Sequence, residues 1–183
     1  PPDELEWRRL VNKLPHLEND SHHVGIISKF SHRNNQHEEA LASFLSKRNS
    51  MLKIAQGHLW GHANFYRRSQ TTYLNLACED LFQKFTSQLR QAFVSRGSQA
   101  PINVLKADAG ALPLNKLRPV ESIYSGPAAS VLGVMAQSPS AHSFVVIDIG
   151  GTTTDIGLVL SNQPLLSSRG AHIGPYKTNV RSL

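Results

Sequence analysis

Cysteine is nearly absent from this sequence. Cys78 stands alone among 183 residues, which excludes an internal disulfide framework and fits a reducing cytosol. It falls on the apolar side of a predicted helix, so a catalytic thiol is not expected either. No run approaches the ~18 apolar residues that a membrane span needs, and no secretory leader is visible. Internal repeats and low-complexity tracts are missing too. Acidic residues are outnumbered, 13 against 19 Lys and Arg, for a pI near 9.7. The basic residues are nevertheless scattered, with doublets only at Arg8-Arg9, Lys47-Arg48 and Arg67-Arg68, and no aromatic interleaving of the kind that stacks bases. A solvated basic surface, or one facing an acidic partner, is the better reading than nucleic acid. Nine histidines invite a metal, and His58/His62 and His32/His37 are closely spaced. No Cys or carboxylate completes a ligand set at fixed spacing, and no helix is predicted at 58–62, so these histidines read as solvated or hydrogen-bonded.

What is present is globular: 40% apolar and 17% charged residues. A chain of this length buries roughly 70% of its unfolded surface, enough for one core or two small subdomains. It begins at Pro1 and stops at Leu183, shortly after a possible strand, and reads as a piece of something longer. Trp7, Leu10, Val11 and Leu14 form a helical stripe over Asp3–Leu14, stopped by Pro15. A buried strand is expected at His23–Ser28. Asn34 and Asn35 offer caps for a helix with the apolar face His37, Ala40, Leu41, Phe44 and Leu45, in which His37-Glu38 reads as a helix start rather than an acid/base pair. Met51–Ala55 is a second strand.

The longest helical pattern runs from about Asn64 to Arg96, with Leu74, Cys78, Leu81, Phe85 and Phe93 among its apolar positions and Gly97 as its stop. Arg67, Arg68, Thr71, Thr72 and Asn75 form a polar stripe on it. This is either the solvent face or, for Arg68, Thr72 and Asn75 at i, i+4 and i+7, one wall of a cleft. A strand at Pro101–Lys106 leads into the turn-rich Ala107-Asp-Ala-Gly-Ala111. Ser125 can cap a helix through Ser125-Gly-Pro-Ala-Ala-Ser-Val-Leu-Gly-Val-Met135, with Pro127 tolerated in the first turn and Ala128, Ala129, Ser130 and Gly133 keeping one flank thin. Strands and helices alternate, which argues α/β.

Phe144–Leu160 carries the chemistry. A strand ends at Asp148, Gly150 and Gly151 follow, Thr152, Thr153 and Thr154 add hydroxyls, and Asp155 opens the return strand. Glycines can take positive φ and let amides approach an anion closely, and the carboxyl end of a strand is where open α/β sheets place ligands. Carboxylates beside a phosphate need a cation between, so Asp148, with Asp155, implies Mg²⁺ held largely through water. The bland alternative is a hairpin turn with two glycines.

The Ser125-Gly-Pro-Ala-Ala helix followed by the Asp148-Ile-Gly-Gly-Thr-Thr-Thr-Asp155 hairpin resembles the second half of the actin-like ATPase superfamily, which includes sugar kinases and heat-shock chaperones. Within it the chain is most similar to the hydantoinase A/oxoprolinase family. Val24-Gly-Ile-Ile-Ser-Lys-Phe-Ser31 leading to His37-Glu38, Arg68-Ser-Gln-Thr-Thr-Tyr-Leu-Asn75 and Leu105-Lys-Ala-Asp-Ala-Gly110 support this, over most of residues 22–183. The resemblance implies an incomplete ribonuclease H-like (actin-like ATPase) fold, a mixed sheet flanked by helices. Residues 1–97 would end the first ATPase subdomain, and 98–183 would begin the second.

It further implies a cytoplasmic, ATP-dependent enzyme that phosphorylates and so activates an amide or lactam carbonyl for hydrolysis, often with a second subunit. Asp148 would then serve Mg²⁺, Gly150, Gly151 and Thr152–Thr154 the phosphates, and Asp155 the metal shell or hairpin geometry. Ser125 and Gly126 would line the hinge, and Arg68, Thr72, Asn75, Asp108 and Gly110 the substrate cleft. Ala109 stands where the family usually has glycine. The family's amino-terminal phosphate loop and its downstream adenosine loop do not occur in these residues, so little turnover is expected of the 183-residue chain alone. The alternative is a non-hydrolase actin-like ATPase or a sugar-kinase-like nucleotide-binding module.

Overall fold

In the computed structural model, which describes residues 2–14, 23–138, 142–167 and 169–183, helix α1 (Glu4–Val11) begins at a capping box. The Asp3 carboxylate accepts from the Glu6 amide at 2.8 Å, and the Glu6 carboxylate accepts from the Asp3 amide at 3.1 Å. Of the expected apolar stripe only Val11 is buried; Leu10 and Leu14 are exposed. Pro15 lies outside the described residues.

The chain divides into two compact units, residues 1–80 with Ile173–Asn179, and residues 81–172 with Val180–Leu183. The first is built on a β–α–β unit. Strands β1 (His23–Ile26) and β2 (Lys53–Gln56) pair in parallel, with Val24 opposite Ile54 and Ile26 opposite Gln56, and helix α2 (Gln36–Arg48) connects them. Leu45, Ile26 and Val11 form its core, with Leu41, Phe44, Leu52 and Ile54 against it. Asn34 supports the start of α2 by accepting from the Gln36 amide at 3.0 Å, whereas Asn35 occupies the cap position without capping. At the start of this helix the inward residue is Glu38, fully buried, while His37 is exposed, so the expected face is displaced by one position there.

Helix α3 (Phe65–Val94) has 30 residues. Its polar stripe is the buried one: Arg68, Thr71 and Thr72 have no exposure, and Asn75, Leu74 and Leu76 are also buried. This corrects the solvent-face reading. The apolar positions further along, Leu81, Phe85 and Val94, are exposed. Gly25 on β1 permits a close approach, since a Cβ there would lie 3.2 Å from Thr72 Cγ2.

In the second unit, β3 (Asn103–Leu105) pairs antiparallel with β4 (Ala111–Pro113), a strand that the turn-like sequence conceals. Helix α4 (Ser125–Gln137) packs on an antiparallel sheet of β5 (Phe144–Ile149), β6 (Thr154–Leu160) and β7 (Gln163–Pro164). Val131, Val146 and Val159 are buried between helix and sheet. The tight fit is on the strand side: a Cβ on Gly157 would fall 2.3 Å from Val131 Cγ2, whereas one on Gly133 would meet nothing. On the helix, the small residue that is fully buried is Ala128, not Gly133. The opposite sheet face carries exposed Val145, Ile147 and Ile149 beside Ile156, Leu158 and Leu160.

Candidate functional site

The β5–β6 hairpin sets its two acids directly opposite one another. Asp148 pairs with Asp155, and Ile149 with Thr154, across an antiparallel ladder. Because side chains alternate, both carboxylates share the sheet face of Val146 and Val159, the face that α4 covers. The α4 hydroxyl of Ser130 donates to Asp148 Oδ2 at 2.5 Å. Among the described residues, no Lys or Arg forms an ion pair with either acid. The residues between them, Gly150 to Thr154, are exposed.

The turn differs from expectation in one respect. Neither Gly150 nor Gly151 takes positive φ, because the turn closes with the Gly150 amide donating to the Thr153 carbonyl at 2.9 Å. That amide is therefore committed to the hairpin. Gly151 is different, since a Cβ there would meet nothing within 4 Å, so its outer side is clear for a ligand.

Ser125 was expected to cap α4 but is its first helical residue. The cap position belongs to Tyr124, held at φ 66, with no side-chain cap. The tyrosine hydroxyl donates to the His172 carbonyl at 2.7 Å, which anchors this strained residue. Gly126 is exposed, and a Cβ there would meet nothing.

Asp108 and Gly110 lie in a tight turn between β3 and β4. Asp108 Oδ2 accepts from Lys106 Nζ at 2.9 Å and Oδ1 from the Gly110 amide at 3.0 Å. Burial would raise the Asp108 pKa, but these bonds from Lys106 and Gly110 outweigh it and hold the carboxyl below its usual value. Each oxygen thus accepts one bond within the turn, and the side chain stays partly exposed. Ala109, in the position where a glycine was expected, takes φ 64. Ala109→Gly is expected to stabilise this unit by about 0.5–1 kcal/mol through relief of left-handed strain. Urea denaturation checks this, and a loss of stability would show that the methyl group packs.

In the first unit, Arg68 is enclosed beneath the loop after β1. Its Nη2 donates to the carbonyls of Ser28 at 2.9 Å and Lys29 at 2.7 Å, and Nη1 to the Ser31 hydroxyl. Thr72 accepts from Trp60 Nε1 at 3.0 Å, and its hydroxyl donates to the Arg68 carbonyl at 2.8 Å. Thr71 accepts from the Asn179 amide at 2.9 Å. Arg68, Thr72 and Asn75 therefore lie together, but as buried groups whose visible bonds brace loops.

Sequence reasoning missed the partner of this cluster. Glu38 Oε1 accepts from the Ser28 amide at 2.7 Å, and Oε2 accepts from the His58 amide at 2.8 Å and lies 2.9 Å from His58 Nδ1. Burial raises its pKa, yet hydrogen bonds from Ser31, Ser28 and His58 outweigh this, and the carboxyl is held below its ordinary value. The available signal was spacing: Glu38 precedes Leu41 and Leu45 at i+3 and i+7, the inward stripe of α2.

No group of three or more His, Cys, Asp or Glu side chains among the described residues is placed to hold a metal ion. Nor, among those residues, is any helix long and apolar enough to cross a membrane.

The chain is 26% identical over 140 residues to the caprolactamase subunit alpha of Pseudomonas jessenii, covering 74% of this chain and 20% of that protein. It is 27% identical over 107 residues to an uncharacterised protein of Methanocaldococcus jannaschii, covering 56% of this chain and 16% of that one. The chain thus spans no more than a fifth of the length of these relatives. The family model described as Hydantoinase/oxoprolinase matches residues 68–183, which include most of α3, the β3–β4 turn, α4 and the Asp148–Asp155 hairpin. The chain belongs to the hydantoinase/oxoprolinase family.

Proposed function

We propose that the chain is part of an ATP-dependent enzyme that activates an amide or lactam carbonyl by phosphorylation, the carbon–nitrogen bond then being hydrolysed with the help of a second subunit. Two things support the class of substrate and the companion: membership of the hydantoinase/oxoprolinase family, and similarity to a protein named as the alpha subunit of a caprolactamase. The fold would be the ribonuclease H-like one, with residues 1–97 ending one ATPase subdomain and 98–183 beginning the next, in a cytoplasmic enzyme.

The observation that carries the nucleotide reading is the register of the hairpin. Asp148 and Asp155 face each other on one side of an exposed glycine–threonine turn, and among the described residues no cationic side chain pairs with either. Two carboxylates so placed, one already oriented by Ser130, fit a water-ligated Mg²⁺. The clear side of Gly151, with the amides and hydroxyls of Thr152, Thr153 and Thr154, fits phosphate oxygens. Bound Mg²⁺–ATP would supply a transferable phosphoryl group. The residues here would orient it and offset its charge, and these are the main tasks in phosphoryl transfer. Ser125 and Gly126 would border the hinge.

Asp148→Asn keeps the Ser130 contact and removes the charge. In the full-length polypeptide it is expected to lower lactam-stimulated phosphate release about 100-fold, the scale of losing one charge-stabilising group. Phosphate release and Mg²⁺–ATP titration measure this. Unchanged values would remove the hairpin from the reaction.

A further inference from the structure

The carboxyl ends of parallel strands β1 and β2 carry a second set of reactive side chains, remote in sequence from the hairpin. His58 is the second residue of a short 3₁₀ turn, Gly57–Trp60, after β2, and Glu38 stands on α2 after β1. Glu38 is wholly buried, and His58 is partly open, its side chain 14% exposed. Gly57 makes the approach possible, because a Cβ there would lie 2.9 Å from Ile27 Cγ2 and 3.3 Å from Glu38 Oε1.

Protonation follows from the partners. A carboxylate that already accepts two backbone N–H bonds can only accept from the ring, so His58 Nδ1 carries the hydrogen that points at Glu38 Oε2. The neutral ring then holds its lone pair on Nε2. Among the described residues no hydrogen bond reaches that nitrogen, and it is not one of the buried polar atoms left without a partner. The carboxylate is fixed in turn. The Ser28 amide bonds it, and Arg68 from α3 holds the Ser31 hydroxyl and the carbonyls of Ser28 and Lys29. Glu38 is the charged group in contact with the imidazole, and Arg68 reaches the same network through Ser31. A buried, immobilised carboxylate behind an imidazole with one free nitrogen is the arrangement that makes histidine a directed proton carrier.

We propose that His58 is a general base and acid toward the amide substrate and that Glu38 is its positioning residue, an inference that rests on the amide-activating reading above. His58 Nε2 takes the amide N–H proton. The N–H pair forms the C=N bond, and the carbonyl π pair moves to oxygen, which is left as the anionic, nucleophilic atom of the amidate. The protonated ring returns its proton to water. Sites at the carboxyl ends of parallel strands are where such folds place their ligands.

The experiment uses the full-length polypeptide with its companion subunit, and measures phosphate release stimulated by ε-caprolactam and by hydantoin as a function of pH. His58→Asn places an amide nitrogen where Nδ1 was, so the bond to Glu38 survives while Nε2 is removed. The expected result is a loss of kcat of about 100-fold, KM within about threefold, and disappearance of the acidic limb of the wild-type pH profile. Glu38→Gln is expected to retain that limb while kcat falls about 10-fold, since the anion that orients the ring is gone. If phosphate release persists and His58→Asn stays within about threefold of wild type with the limb intact, the pair is only a structural tie and the proposal falls while the amide reading stands. If wild type shows no stimulated phosphate release with either compound, both fall. If His58→Asn does not fold, His58→Gln is judged by the same profile; failure of both to fold assigns His58 to stability and overturns the proposal.

Discussion

Arg68→Ala is expected to destabilise the first unit by about 3–5 kcal/mol, the cost of removing one member of a buried charged network. The side chain has no exposure, and its guanidinium makes three hydrogen bonds to one short loop: two to the carbonyls of Ser28 and Lys29, one to the Ser31 hydroxyl. Truncation leaves those carbonyls enclosed without a donor and opens a cavity beneath them. Ser31 also helps to lower the Glu38 pKa, so the carboxylate loses part of the support that keeps it ionised. Arg68→Lys is expected to recover only part of the loss, because a single ammonium cannot reproduce a planar fork that serves three acceptors. The shift in urea midpoint at constant slope measures the effect, and hydrogen exchange at the Ser28 amide, which Glu38 holds, reports where it acts. A loss below about 1 kcal/mol would show that the loop is held by other means.

Gly157→Ala is expected to cost the second unit about 1–3 kcal/mol, the range for overpacking a filled core. The new methyl would arrive 2.3 Å from Val131 Cγ2. Val131 is buried, β-branched and seated on a helix, where it has essentially one favourable rotamer, so it cannot swing aside. Either α4 lifts from the sheet or the hairpin bends. Both movements would disturb the Ser130–Asp148 bond, which spans the same layer. Val131→Ala alone should also destabilise, through a cavity, yet combined with Gly157→Ala it should restore much of the loss. A double-mutant cycle by denaturation gives the coupling directly. Simple additivity would mean that the two side chains do not compete for the same space.

Much of the architecture was legible in local pattern. The 30-residue helix was visible from its spacing of apolar residues, and the β5–β6 hairpin from alternation around a glycine-rich turn. The parallel pairing of β1 with β2 agrees with strands separated by a helical segment. The β4 strand was concealed, because three residues between turns carry too little pattern to distinguish strand from loop. The cap of α4 was misread for a related reason. Ser125 has the right chemistry for a cap, but Tyr124, tied by its hydroxyl to His172, takes the left-handed cap position one residue earlier.

The polar stripe of α3 shows where pattern reasoning reaches its limit. Arg, Thr and Asn on one helical face look like a wet surface or a ligand wall, because a sequence cannot reveal whether acceptors from elsewhere will be brought to them. Here Ser28, Lys29 and Ser31 arrive from some 40 residues away and make burial of the arginine affordable.

The sequence by itself determined the alternation of helices and strands, the acid–glycine–threonine hairpin and the family to which it points, since each depends on residues close together along the chain. Tertiary structure alone decided that Gly157 rather than Gly133 admits the helix to the sheet, that Asp108 accepts bonds within its own turn, and that Glu38 meets His58. Those outcomes depend on which groups the folded backbone brings within a few ångströms, and hydrogen bonding and steric exclusion act only at that range.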